Sequence, residues 1–537
     1  MSDNRPNNVF DGKFILVMVL AFAAWSGWQS YLAKKYPEAY KKTAQEAQAP
    51  EAQKSGDLTQ QQSTRHDTEL APIEKESKAE ELLTYNDATW SFHVSSKGMA
   101  IRDVELKKYK DRSNKPITFS VDPDAHLFST HVSGRREPLD FRLSLQGENQ
   151  IVGTAVVDGM KITKVVQVRS ENYSLLTKVR AENVPPSFVG LTTSLSESIT
   201  GEAKGGFFSA QRFDHQEFYV RHDNTNSRMM LAQEAKVENY SGVRVAGLSS
   251  QYFTAALVDK SPVIPDFKAV SSVEPKPLGL GVLTHNMLTP DKTFSLDYVA
   301  YVGPKSVEIL KSSSPDLADV VDLGFFTSFA KGLLWLMKAI HSALGNWGVA
   351  IILLTILVRV VVLPFNLIGY KQMKAMSQIQ PQIKVIREKY KNDQQKLNQE
   401  MMTLMREAKA NPLGGCLPML VQIPVFFALY QVIGQSIELY QAPFVLWIHD
   451  LSLKDPFYVL PVLMGVTMYF QQKISPSTLE PAQQKILMFM PILFTVMMAN
   501  LPSGLTLYIF VSSIFGVVQQ LVFMKDNNAI RPVAAKA

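Results

Sequence analysis

The sequence predicts a polytopic α-helical membrane protein joined to a large antiparallel β-sandwich. Three observations predict it. The 537 residues divide unevenly, with a polar first 340 or so and a strongly apolar remainder. Residues 347–365 read WGVAIILLTILVRVVVLPF, nearly the length a bilayer core of about 30 Å requires, with one charge, Arg359. Between 85 and about 310 the pattern is instead short period-2 stretches separated by turn residues.

In chain order, residues 1–13 precede a first apolar run, 14–32. No A-x-A-like cleavage site follows it, and Trp25, Trp28 and Tyr31 resemble an interfacial aromatic belt, so an uncleaved span is preferred to a signal peptide. Residues 33–84 carry mostly Gln, Glu, Lys, Ala and Ser and cannot bury enough apolar surface to offset chain entropy, which predicts a disordered tether. The β-domain is expected over 85–317. Ile162, Val166 and Val168 alternate before Glu171 and Asn172, then Leu175, Thr177 and Val179 follow; Phe294, Leu296, Tyr298 and Ala300 alternate similarly. Its histidines (His93, His126, His131, His215, His222, His285) are scattered along the chain, the pattern of surface or core residues rather than a catalytic pair.

Helical spacing begins at 318–341, where Phe326, Phe329, Leu333, Leu336 and Ile340 share a face. An amphipathic helix lying in the headgroup layer is expected, with a helix packed under the sandwich as the alternative. After the span 347–365, residues 366–414 form a polar section. Met373, Met376, Ile379, Ile383 and Ile386 recur at threes and fours, and the pattern restarts with Leu397, Met401, Leu404 and Met405 after Asn392 and Asp393. This predicts a helical hairpin, kinked at Pro381. Four further spans follow, at 417–434, 457–471, 486–501 and 505–523. Two of them are short for a bilayer.

Charge sets the orientation. The segments 366–414, 472–485 and 524–537 hold fourteen Lys and Arg, while the alternate loop 435–456 has one and Pro502, Ser503 and Gly504 have none. The positive-inside rule then places the hairpin, the loop 472–485 and both termini in the cytoplasm, and the β-domain outside. Charges flanking the first span point the other way, but they are fewer.

No span contains Asp or Glu, so Arg359 has no acid from another span to pair with. An arginine there costs at least about 2.5 kcal/mol and marks a functional site by default. Lying about 9 Å inside the cytoplasmic edge, it meets water in a cavity, a lipid headgroup reached by snorkelling, or a charge brought from outside.

Residues 411–433 (NPLGGCLPMLVQIPVFFALYQVI), 500–520 (NLPSGLTLYIFVSSIFGVVQQ) and 355–366 (TILVRVVVLPFN) resemble the YidC membrane protein insertase family. The resemblance covers about 319–525 closely. A first span followed by a large β-domain is similar to the Gram-negative form, with six spans, five of them an insertase core, in the bacterial inner membrane. Ile509, where the family often has an aromatic, and the short, mildly basic tail depart from it. The resemblance implies a hydrophilic groove, open to cytoplasm and lipid, with an essential arginine at Arg359. It implies Thr355, Gln422, Tyr508 and Ser512 as groove residues. It also implies nascent membrane proteins, the translating ribosome, the Sec translocon and the lipid bilayer as partners. Met464, Met468 and Met498 are candidate substrate contacts, because thioether side chains suit a surface that accepts many apolar partners.

The sequence offers no support for an enzyme. The single cysteine, Cys416, excludes an intramolecular disulfide, and no metal-ligand spacing or phosphate-binding Gly-rich loop occurs, so neither metal nor cofactor is expected. Two other classes compete. A solute transporter should carry intramembrane carboxylates or inverted repeats, which the spans lack. A membrane-tethered periplasmic carbohydrate-binding protein would put its activity in the sandwich.

Overall fold

The computed structural model describes residues 79–135, 137–199, 215–223, 225–231, 235–272, 276–287, 292–324, 326–408, 410, 417–475 and 481–525. The expected first span and nearly all of the tether lie outside these. The sandwich begins inside the segment expected to be tether, since Leu82–Asn86 is already a strand.

Alternation builds the sandwich. In the strand Met160–Arg169 every second residue is buried, from Met160 through Ile162 and Val166 to Val168. The strand Thr293–Pro304 does the same with Phe294, Leu296, Tyr298 and Ala300. One face of each strand therefore belongs to the core between sheets. Between Met160–Arg169 and the next strand, Ser174–Glu182, residues Ser170–Asn172 make a short turn that Tyr173 closes with a φ of 56°. The described strands form two antiparallel sheets of nine. The first runs from Leu82–Asn86 through Ile101–Lys110 and Gly190–Ser198 to Lys236–Tyr240, and the second from Thr225–Met230 through Phe253–Asp259 and Ser174–Glu182 to Arg142–Gln146.

The core is not wholly apolar. The inward position between Ile162 and Val166 is taken by Lys164, which pairs with no carboxylate among the described residues. Its Nζ donates to the Phe128 carbonyl at 2.6 Å, to the Met99 carbonyl at 3.0 Å and to Thr130 Oγ1 at 3.1 Å. Burial holds its ammonium down at about 7. The histidines are not all scattered, as the sequence suggests. His126 and His131 converge on Ser194 Oγ at 2.9 and 3.2 Å, and burial brings His126 down to about 4.

A strap of ion pairs carries the chain out of the sandwich. After helix α1 (Val307–Ser313), a short turn, Pro315–Val320, lies across the second sheet. Lys260 Nζ meets Asp316 at 2.6 Å, and Arg221 reaches the same carboxylate. Arg228 pairs with buried Glu217, donates to the Val320 carbonyl at 2.9 Å and approaches Asp322. Helix α2 is Thr327–Leu344, starting later than the helical spacing suggests. Its buried stripe is Ala330, Leu333, Leu334 and Met337, not the expected face. Phe329 and Trp335 are exposed. The two faces overlap at Leu333, and packing on the following helices selects the one carrying smaller residues. Gly345, with φ of 69°, closes α2 in the left-handed region.

The remaining helices are α3 (Trp347–Lys389), α4 (Gln394–Glu407), α5 (Leu417–Gln435), α6 (Val459–Ile474), α7 (Pro481–Met498) and α8 (Ser503–Lys525). α3 is one helix of 43 residues that contains Pro364 and Pro381, so the span and the first arm of the hairpin belong to the same helix. Asp393 caps α4 by accepting from the Lys396 amide at 3.0 Å, which makes the turn expected there. α6 has 16 residues, short for a bilayer, while α7 begins at Pro481 and has 18. Among the described residues, Trp347–Lys389 and Ser503–Val522 are long and apolar enough to cross a membrane, and Met488–Met498 is a shorter apolar stretch.

Candidate functional site

Three helices supply the site. α3 carries Thr355 and Arg359 one turn apart, α8 carries Tyr508 and Ser512 one turn apart, and α5 carries Gln422. α3 is fixed at its start by Asn346, whose side chain accepts from the Val349 amide at 3.0 Å and donates to the Phe444 carbonyl at 3.1 Å. Gly348 leaves room there for the Phe444 ring, which a Cβ would strike.

Arg359 Nε donates to Ser512 Oγ at 2.6 Å. Gln422 Nε2 donates to Tyr508 Oη at 2.6 Å, and Tyr508 also interacts with Ser512. Arg359, Ser512, Tyr508 and Gln422 thus form one polar chain across three helices. Among the described residues no carboxylate pairs with Arg359. A guanidinium has five N–H donors, and one neutral hydroxyl leaves most of them to solvent or to an arriving acceptor.

The sequence-derived residues fare unequally. Ser512 is the direct partner of Arg359. Thr355 shares the Arg359 face but is buried, and its hydroxyl turns back to the Ile351 carbonyl at 2.6 Å. Met464 and Met498 are both fully buried and pack between helices. Gly465 explains the tightness, because a Cβ there would collide with the Thr495 hydroxyl of α7. Met468 is half-buried. Two polar residues the sequence reading missed, Ser475 and Gln520, meet at the far ends of α6 and α8. The four-residue repeat of Tyr508, Ser512, Gly516 and Gln520 was the signal for them.

Among the described residues no group of three His, Cys, Asp or Glu could hold a metal ion. The sandwich has its own concave surfaces. One, of about 510 Å³, is lined by His93, Asp103, Glu105 and Lys107, and the other, of about 230 Å³, by Glu197, His215 and Phe253.

A polar chain carrying a cation that no described carboxylate pairs, set among long apolar helices that follow a β-sandwich, defines the class as a polytopic membrane protein with a large β-domain. The sequence matches the family described as 60Kd inner membrane protein over residues 339–530 and the YidC periplasmic domain over residues 84–336. The Membrane protein insertase YidC of Francisella philomiragia subsp. philomiragia is 31% identical over 483 residues, covering 86% of this chain and 87% of that one. That of Geobacter metallireducens is 34% identical over 452 residues, covering 80% and 83%. The chain belongs to the YidC family of membrane protein insertases. Among solved structures, an active YidC insertase with its first transmembrane domain resolved covers 83% of this chain and 93% of its own, at 18% identity and a TM-score of 0.37. A galactose mutarotase-like protein from Lactobacillus casei covers 41% of this chain at 11% identity and a TM-score of 0.30.

Proposed function

We propose that this chain inserts nascent inner-membrane proteins and helps them fold through a hydrophilic groove centred on Arg359, open to cytoplasm and lipid. The observation that carries the reading is the guanidinium itself, whose hydrogen bond within the described chain goes to the neutral Ser512 hydroxyl. It attracts an acidic or polar residue of an incoming segment several-fold more strongly than it would in water. Gln422 and Tyr508 extend the polar surface, and Thr355 shapes it as a packed neighbour. The polar tail of the substrate then enters part of the bilayer without full desolvation. Its apolar helix moves sideways into lipid, driven by burial worth about 25 cal/mol per Å².

α6 supports this reading. Its 16 residues rise about 24 Å, less than the hydrocarbon core, and such mismatch thins the bilayer locally. In the full arrangement six spans cross the inner membrane, both termini and the α3–α4 hairpin are cytoplasmic, and the sandwich is periplasmic, on the positive-inside count. The translating ribosome delivers the substrate, and the chain works alone or beside the Sec translocon. The step needs no cofactor.

Photo-crosslinking from Gln422 and Tyr508 to ribosome-bound nascent membrane proteins tests the groove. Crosslinks confined to lipid-facing positions such as Val361 would refute it. Depletion and complementation with Arg359→Ala, Arg359→Lys and a deletion of residues 85–310 separates the reading from a carbohydrate-binding protein. Loss with Arg359→Ala and survival of the deletion are expected; the opposite result moves the activity to the sandwich.

A further inference from the structure

The polar face of α8 does not end at Ser512. Tyr508, Ser512, Gly516 and Gln520 recur at intervals of four and stack along one side of the helix. Tyr508 and Ser512 meet α5 and α3, and further along Gly516 and Gln520 face the C-terminal half of α6. Gly516 has no unusual backbone conformation to explain it. A Cβ there would instead strike the carboxamide nitrogen of Gln471, so the missing side chain is the space in which that amide lies against α8. One turn further, the Ser475 hydroxyl donates to the Gln471 carbonyl at 2.8 Å and lies 3.3 Å from Gln520 Oε1. Gln520 is only 6% exposed, yet its amide nitrogen has no acceptor among the described residues. A primary amide carries two N–H donors, and leaving them buried and unmet costs stability. An apolar residue would fill this position without that cost.

We propose that Gln471, Ser475 and Gln520 form a second polar subsite, about 12 Å along α8 from Ser512, that takes oxygen acceptors from the polar flank of an arriving polypeptide. This rests on the reading of the Arg359 site as a substrate groove. The ligand class follows from the groups present. The subsite offers uncharged donors, so it accepts backbone carbonyls and the side-chain oxygens of Asn, Gln and Ser as well as carboxylates. Arg359 favours carboxylates. The two sites divide the work: the amide pair receives any polar flank, and the guanidinium draws an acidic one deeper.

The test uses the full chain in lipid vesicles and ribosome-stalled nascent chains with one apolar segment. Three polar tails are compared: Ser, Asn and Gln only; the same with aspartates; the same with lysines. Protease protection reads insertion. Gln520→Leu should slow the uncharged tail by about two- to tenfold, the range that loss of one or two hydrogen bonds gives. Gln520→Glu replaces donors by a charged acceptor and should slow the aspartate tail more than the lysine tail. Gly516→Ala, which displaces the Gln471 amide, should resemble Gln520→Leu. Thermal melting in detergent identifies a variant that has lost its fold, and the other two then carry the test. Insertion of the uncharged tail at the parent rate by Gln520→Leu, or equal slowing of the aspartate and lysine tails by Gln520→Glu, overturns the proposal. A crosslinking probe at Tyr508 separates the two failures. Crosslinks to the nascent chain with an inert Gln520→Leu remove only the second subsite, whereas no crosslinks at Tyr508 remove the groove as well.

Discussion

Replacing Arg359 with methionine separates a working cation from a structural one. The structure gives both sides of the balance. The variant loses one hydrogen bond from a charged donor, Nε to Ser512 Oγ at 2.6 Å, worth about 1.5–3 kcal/mol. It also removes a charge whose placement among apolar helices costs at least about 2.5 kcal/mol. These terms nearly cancel, so the apparent melting temperature in detergent should move by only a few degrees. Breaking a buried ion pair would instead cost about 3–5 kcal/mol. Insertion should respond differently. An acid about 4 Å from the guanidinium gains about 4 kcal/mol at an effective dielectric of 20. If half survives desolvation, Arg359→Met slows insertion of an acid-tailed substrate about 30-fold. Arg359→Lys keeps the charge and should retain much of the rate, since attraction rather than bidentate geometry is at work. The assay pairs melting with protease-protected insertion into vesicles. A variant that melts about 10 °C lower yet inserts the acid-tailed substrate normally would show a structural arginine and refute the reasoning.

Other consequences can be checked independently. Gln422→Leu and Tyr508→Phe each break the 2.6 Å bond between α5 and α8, so a double-mutant cycle on insertion rate should show a coupling of about 0.5–1.5 kcal/mol; additive effects would mean the pair does not act together. Lys164 binds its proton more weakly in the folded sandwich, where it is held at about 7, than in the unfolded chain, near 10.5. Stability should therefore rise with pH above 7, by at most about 1.4 kcal/mol per unit. Lys305, pushed by burial to about 8, shares the upper part of that window, so Lys164→Met should flatten the pH dependence of melting between pH 7 and 8 and roughly halve it above 8. Arg228→Met leaves Glu217 buried beside weaker partners and frees the strap at Val320; a destabilisation of about 3–5 kcal/mol and faster proteolysis near 319–322 are expected, with insertion retained. In the parent protein Glu217 is held at about 2, chiefly by Arg228 against the opposing cost of burial, so its contribution is present above pH 4.5 and lost as pH falls toward 2.

The repeating patterns were legible in the chain because each has a local cause. Alternation at 160–168 and 294–300 is a property of single strands, and the apolar run around Arg359 is a property of one helix. Local patterns also misled. The span and the first hairpin arm read as separate segments, yet one helix runs through both Pro364 and Pro381, each of which removes a single backbone donor. The face of α2 was read from its largest apolar residues, whereas packing chose Ala330, Leu333, Leu334 and Met337. Met464 and Met498 looked adaptable in sequence, and close helix packing buried them.

By itself the sequence determined the layout of the chain: strands, then apolar helices, then one cation with no acid in any span to neutralise it. Hydropathy and charge are carried by each residue and need no partner to be read. Only the tertiary structure decided that Ser512 is what Arg359 holds, that Gln422 reaches Tyr508, and that Gln520 faces Ser475 with an unmet donor. These are contacts between helices distant along the chain, set by helix rotation and spacing, and half a turn of rotation would exchange every partner while leaving the periodicity of each helix unchanged.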